Sequence, residues 1–272
     1  MEKQKIELKL PANLKFSSLV RHMTEEVFSY IGFTKEWSSR LKLVVDELFM
    51  NAVKYGSTED KSTVHIELLF DETMVEFRIQ DDGTGLHKIS VDDLKKRIQQ
   101  NADSNDVTAT SGRGLALITS LWTDELKVEE ASIGGIAIYF MKKIETTSPP
   151  PMQIVESVEG QVEGQVEEQI EEPVVELKGP IITVKLQGEI DQSNLEKMTT
   201  PVKEKLDTLP EGAKLVLDFG DVIYINSTVI GHLAEWHNDA EKKKGKLVVI
   251  NANDQIKDVL DLVGLSRVLN IE

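Results

Sequence analysis

Glu47 and Asn51 stand four residues apart in a run, 34–55, whose apolar Leu41, Val45, Leu48 and Ala52 recur at three- and four-residue steps. That spacing predicts a helix with one face on a core. Both polar side chains then fall on one face, a turn apart. A carboxylate so placed can take a proton from a hydroxyl or a water, and the Asn amide oxygen is a hard ligand for magnesium, which keeps most of its shell as water and phosphate oxygens. Further along, Asp81, Asp82, Gly83, Thr84 and Gly85 follow an alternating apolar run. An aspartate at a strand end can accept a hydrogen bond from an adenine amino group, and Gly83 and Gly85 let the backbone turn close to a base and ribose. The third stretch is Ser111, Gly112, Arg113 and Gly114, ahead of the apolar run Leu115 to Leu121. A helix opening there aims its first N–H groups at an anion, and Arg113 can pair with phosphate oxygens. Each stretch alone matches an ordinary turn or a solvated helix face. The three in order predict a site for ATP with magnesium in the first half of the chain.

The elements that must hold these residues are legible in outline. Thr34 suits the N-cap of the Glu47 helix and Gly56 its stop. Residues 5–10 and Met74 to Gln80 read as strands, the latter alternating Val75, Phe77 and Ile79 with polar neighbours. Gln99 to Thr110 is polar without apolar periodicity and reads as a loop, placed between two nucleotide motifs where a lid is expected. From Glu145 the chain changes character: a Pro triplet, Pro149 to Pro151, leads into Glu, Gln, Gly and Val repeating to Lys178. So little apolar surface predicts an acidic linker over 145–178, dividing a domain at 1–144 from one at 179–272. The second half alternates strands (Ile181 to Ile190, Lys214 to Phe219, Lys246 to Ile250, a short one near Val268) with helices (Asn194 to Leu206, Ser227 to about Lys243, Gln255 to Leu262). An α/β architecture with a mixed or parallel sheet follows.

The three motifs resemble the Bergerat-type ATP-binding fold shared by gyrase, MutL and histidine kinases. Within it, residues 5–143 look most like the anti-sigma-factor serine kinases of bacterial partner-switching systems. The resemblance implies Glu47 as catalytic base, Asn51 as magnesium ligand, Asp81 as adenine anchor, and Gly83, Gly85, Gly112 and Gly114 as phosphate and ribose contacts. It also implies dimerisation through the kinase half, and partners such as a separate antagonist or a sigma-factor-like protein. Ile136 and Ala137 stand where that family usually carries a threonine. With nothing ahead of the first strand, autophosphorylation of the two-component type is disfavoured. Residues 180–272 are similar to a STAS domain, the fold of the anti-sigma-factor antagonists. Gly188 to Asp191, read as part of a first hairpin, and Leu217, Asp218 and Ile225 to Gly231 carry that likeness. By it, Ser227 aligns with the serine that the antagonists present for phosphorylation. Asn226 replaces the usual Asp, and Val229 replaces the usual Gly, which predicts added bulk on the docking face. A serine at a strand-to-helix junction presents its hydroxyl outward, and the helix N-terminus favours incoming phosphate charge. Capping by Asn226 or Ser227 is the structural alternative.

Composition sets outer bounds. With 272 residues the chain accommodates two cores, and without cysteine it has neither disulfides nor thiolate metal sites. A net charge of −16 opposes direct nucleic-acid binding. No stretch has signal or membrane-span length, so a cytoplasmic protein without membrane contact is expected. Three activities remain: a serine kinase acting on Ser227 or on a separate STAS serine, a nucleotide-dependent docking scaffold, and an ATPase attacked by water.

Overall fold

The computed structural model describes residues 3–58, 61–85, 89–103, 122–145, 147 and 179–272. Strands β1 (Gln4–Pro11), β2 (Thr63–Phe70), β3 (Met74–Gln80), β4 (Glu125–Glu130) and β5 (Ile136–Lys143) form an antiparallel sheet in the order β1-β2-β3-β5-β4. Every second residue of β2 and β3 is buried. An antiparallel sheet with one packed face reads that way, because successive side chains leave on opposite sides. Val64, Ile66, Leu68, Phe77 and Ile79 join the core that also takes in Phe28 of helix α1 (Ser17–Ile31) and Leu41, Leu48 and Phe49 of α2 (Lys35–Asn51).

Helix α2 starts where expected, the Thr34 hydroxyl accepting from Trp37 N–H at 3.3 Å. It does not stop at Asn51 but widens into a single π turn, Ala52–Gly56. From Leu41 to Met50 every residue is buried. One sheet covers only one face of a helix, so a second layer must lie on the other.

Helix α3 (Val91–Asp103) overturns part of the expected loop: Gln99 to Asp103 are helical. The amphipathic spacing of Val91, Leu94 and Ile98, which pack on the core, extends the helix into polar residues whose own propensity is adequate. Residues 104–110, the Gly112–Arg113–Gly114 motif and nearly all of 145–178 lie outside the described residues.

The second sheet is parallel, β6 (Ile181–Ile190), β7 (Lys214–Ile225), β8 (Lys246–Ile250) and β9 (Asn270–Ile271) in that order. Helices α4 (Leu195–Asp207), α5 (Ser227–Lys242) and α6 (Asp254–Leu262) alternate with these strands. Gly188 to Asp191 therefore end a strand and do not turn a hairpin; β6 pairs in parallel with β7, which requires a crossover, supplied by α4. Strand β7 runs past Phe219 to Ile225, its added residues pairing with the end of β6 through two register shifts. Val229 is 1% exposed and belongs to the second core, so it fills the interior and adds nothing to a docking face. Tyr224, near the end of β7, is the exception to this partition. It is buried in the core of the first sheet.

Candidate active site

Two α2 side chains and one from α5 meet where the halves touch. Asn51 Nδ2 donates to Glu47 Oε1 at 3.2 Å, as four-residue spacing on one helix face allows. The Ser227 hydroxyl donates to the other carboxylate oxygen, Glu47 Oε2, across 180 positions of sequence. Asn226, and not Ser227, caps α5: its side chain accepts from Val229 N–H at 3.2 Å. The serine hydroxyl is thereby left to the neighbouring half. Next to it, the Thr228 hydroxyl meets Met50 Sδ at 3.7 Å.

Glu47 is 7% exposed. Burial pushes its carboxyl above the ordinary range, and the hydrogen bonds from Ser227 and Asn51 only partly oppose this. A carboxylate held at raised proton affinity against a hydroxyl is suited to accept that hydroxyl's proton.

The Asp81 loop is seated on the end of α2. Asp81 Oδ1 accepts from Gly83 N–H at 3.0 Å and from Ile136 N–H at 3.2 Å. The backbone N–H of Ile136 thus serves the aspartate. Gly83 has φ +67°, a conformation that glycine adopts without strain. The π turn brings Gly56 so close that a Cβ there would lie 2.1 Å from Asp81 Cγ. Asp81 is 6% exposed, and burial raises its pKa despite the two amide donors. Gly85 N–H reaches Gly56 O at 3.3 Å, and Thr58 holds Thr84 through two further bonds. The structure therefore joins Glu47 and Asn51 to Asp81, Gly83 and Gly85 through one helix and its terminal turn.

A bound nucleotide and magnesium fit these residues. Asp81 is a buried acceptor fixed by backbone amides, with the Gly56 backbone packed so closely against it that any side chain at residue 56 would collide with the carboxylate. Among the described residues no group of three or more His, Asp or Glu converges as a metal cage. One amide oxygen, at Asn51, matches magnesium's preference for few protein ligands plus phosphate and water.

A second polar cluster lies beside the first. Arg21 of α1, fully buried, donates to Asp46 Oδ1 at 2.7 Å, to Glu189 Oε2 at 2.7 Å and to Asp191 Oδ2. Tyr224 OH donates to Asp46 Oδ2 at 2.9 Å, and the Arg21 guanidinium lies 4.5 Å from the centre of its ring. Asp46 sits above its ordinary pKa because burial outweighs the bonds from Arg21 and Tyr224. For Glu189 and Asp191, burial also acts upward, but hydrogen bonds, from Arg21 to both and from Ser193 to Asp191, turn the net shift downward. Ser18 and Lys54 add bonds of 3.0 Å to Glu189 and Gln192 respectively.

None of Arg21, Asp46 or Tyr224 stood out as a functional residue in the sequence. The available signal was positional. Arg21 falls within the buried stripe of α1 (Ser17, Val20, Thr24, Val27, Phe28), where a lone charge demands partners.

Comparison with known proteins finds a match for each half of the chain. A family model described as a histidine kinase-like ATPase domain matches residues 10–142, and one described as a STAS domain matches residues 172–272. A serine-protein kinase RsbW of Listeria monocytogenes serotype 4a (strain HCC23) is 32% identical over 147 residues, which cover 52% of this chain and 87% of that protein. The serine-protein kinase RsbW of Staphylococcus aureus (strain JH9) is 32% identical over 144 residues, with the same shares covered.

Proposed function

The chain belongs to the family of the RsbW serine-protein kinases, with a STAS domain following the kinase-like half, and we propose that it is an ATP-dependent protein-serine kinase whose acceptor is its own Ser227. The observation that carries this reading is the hydrogen bond from the Ser227 hydroxyl to Glu47. The acceptor that the STAS resemblance picks out and the base that the kinase resemblance picks out meet in one contact. In this reading residues 1–144 are the kinase domain, 145–178 the tether and 179–272 the substrate module.

ATP supplies the phosphoryl group, and magnesium neutralises charge on it. Glu47 would accept the Ser227 proton as the hydroxyl oxygen takes the phosphoryl group that bound ATP would supply, with ADP as the leaving group. Asn51 orients the Glu47 carboxylate through its amide N–H and offers its oxygen to magnesium. Asp81, with Gly83 and Gly85, recognises the adenine end, and Gly112, Arg113 and Gly114 complete the phosphate side. Burial of Glu47 by the docked STAS half excludes water from the base, which favours serine over hydrolysis. A dianion added to Ser227 beside Glu47 and Asp46 opposes renewed docking, so one turnover releases the module. The released face of α1 and α2 is then open to a separate STAS antagonist or a sigma-factor-like protein. Dimerisation through the kinase half is compatible with this.

The test is to weigh the intact protein after incubation with Mg·ATP. The reading expects one added phosphoryl group, absent in Ser227→Ala. Nucleotide bound but never consumed points instead to a docking scaffold, and free phosphate without labelled protein to an ATPase.

A further inference from the structure

Two hydroxyls, Ser227 and Thr228, stand side by side at the start of α5, and both face α2. Ser227 reaches Glu47, while Thr228 reaches Met50, three residues further along the same helix. Neighbouring helix residues diverge by roughly 100° around the axis, and Val229 and Ile230 hold α5 in the second core, so it is a slide of the whole module along α2, not a turn of α5 alone, that exchanges which hydroxyl faces the carboxylate. Both lie in the first turn of α5, and hydrogen bonding within α5 does not fix their register against α2.

Tyr224 supplies a fixed point three residues before Ser227. It is 6% exposed, sits in the core of the first sheet, and donates its hydroxyl to Asp46 at 2.9 Å. Asp46 directly precedes Glu47 in α2, so anchor and base share one rigid stretch of backbone. Arg21 holds the other oxygen of Asp46 at 2.7 Å and lies 4.5 Å from the Tyr224 ring centre, while Lys42 Nζ lies 5.4 Å from the same centre. The phenol is thus held by a hydrogen bond at its tip and by cations near its ring.

Resting on the kinase reading, we propose that Tyr224 and Asp46 form the register key of the substrate module: they select Ser227 over Thr228 as phosphoacceptor. Tyr224 and Asp46 are positioning residues; neither touches the transferred group. The selectivity arises because Asp46 accepts from a tyrosine at one place only, and Glu47, its chain neighbour, then meets one hydroxyl only. The same key makes a STAS module with phenylalanine at the matching position a poorer substrate.

Phosphopeptide mapping of the full chain after a single turnover with Mg·ATP tests the proposal. In the parent protein, phosphate is expected on Ser227 with Thr228 essentially unlabelled. In Tyr224→Phe, which keeps the ring and its burial, the Ser227 rate is expected to fall about tenfold, with Thr228 rising as a share of the label and the KM for ATP unchanged. Asp46→Asn, which keeps the shape and an acceptor oxygen, is expected to shift the site ratio less than Tyr224→Phe. Loss of total label without any change in the Ser227 to Thr228 ratio would reveal a purely structural role and overturn the register key. An unchanged rate and ratio would overturn it too. Parent protein that labels neither hydroxyl instead sinks the kinase reading itself.

Discussion

The seam between the two halves has two ends built on opposite electrostatic plans. At one end, among the described residues, Glu47 has only neutral donors, the Ser227 hydroxyl and the Asn51 amide, within hydrogen-bond reach. At the other, Arg21 gathers Asp46, Glu189 and Asp191 around a single buried guanidinium. The first plan leaves a carboxylate hungry for a proton. The second sets one cation among three carboxylates and ties the two halves together. Reactivity and adhesion are thus separated by a single residue step along α2, from Asp46 to Glu47.

That division predicts which substitutions separate catalysis from docking. Glu47→Gln keeps the shape and removes the base. Transfer to Ser227 is expected to fall by about a hundredfold or more, the usual worth of a positioned general base. Nucleotide binding by calorimetry and amide-exchange protection of β7 and α5 should persist; loss of either would show that Glu47 also adheres. Arg21→Ala should do the reverse. Removing one partner from a buried ionic cluster typically costs about 3–5 kcal/mol, enough to release the STAS half. Amide exchange at Ile223 to Ile230 should rise while affinity for nucleotide stays the same. Retained protection there would mean that Arg21 contributes packing only.

Acidity gives a subtler contrast. Glu189 and Asp191 sit below their ordinary pKa values in the folded chain, so their contribution is complete above the ordinary carboxylate range and is lost as pH falls through the lowered values. Glu47 and Asp46 are raised, so their contribution is present at low pH and is lost as pH climbs through the raised values. Melting curves between about pH 2 and about pH 8 should show Glu47→Gln gaining on the parent as pH rises, and, below the ordinary carboxylate range, Asp191→Asn losing less than the parent as pH falls. The phosphorylation rate should climb over the range in which Glu47 ionises, above the ordinary carboxylate range.

What the sequence disclosed follows the same divide. Glu47, Asn51 and the Asp81 loop were legible because each obeys a local spacing rule: four residues along a helix, or Asp-Gly after an alternating strand. Thr34 and the one-sided alternation of β3 were legible for the same reason. The anchoring end was not, since Arg21 and Asp191 are 170 positions apart and no local pattern ties them. Leu43 and Val44, off the Leu41–Val45–Leu48 stripe, are buried as well, a sign that α2 is covered from two sides. Val229 misled because a β-branched residue in a first helical turn looks like surface until the core behind it is known. Gln99 to Asp103 misled because polar composition outweighed a helix whose apolar contacts lie in its first two turns.

Complete enclosure of α2 from Leu41 to Met50 has a practical corollary for anyone wishing to rewire the molecule. A substitution on that helix that changes side-chain shape disturbs both layers packed on it, unlike the isosteric Glu47→Gln. Tyr224 and Glu189, which reach the seam from β7 and β6, offer cleaner handles. Exchanging them is expected to change docking, and with it the rate at Ser227, while leaving Glu47 and Asn51 in place.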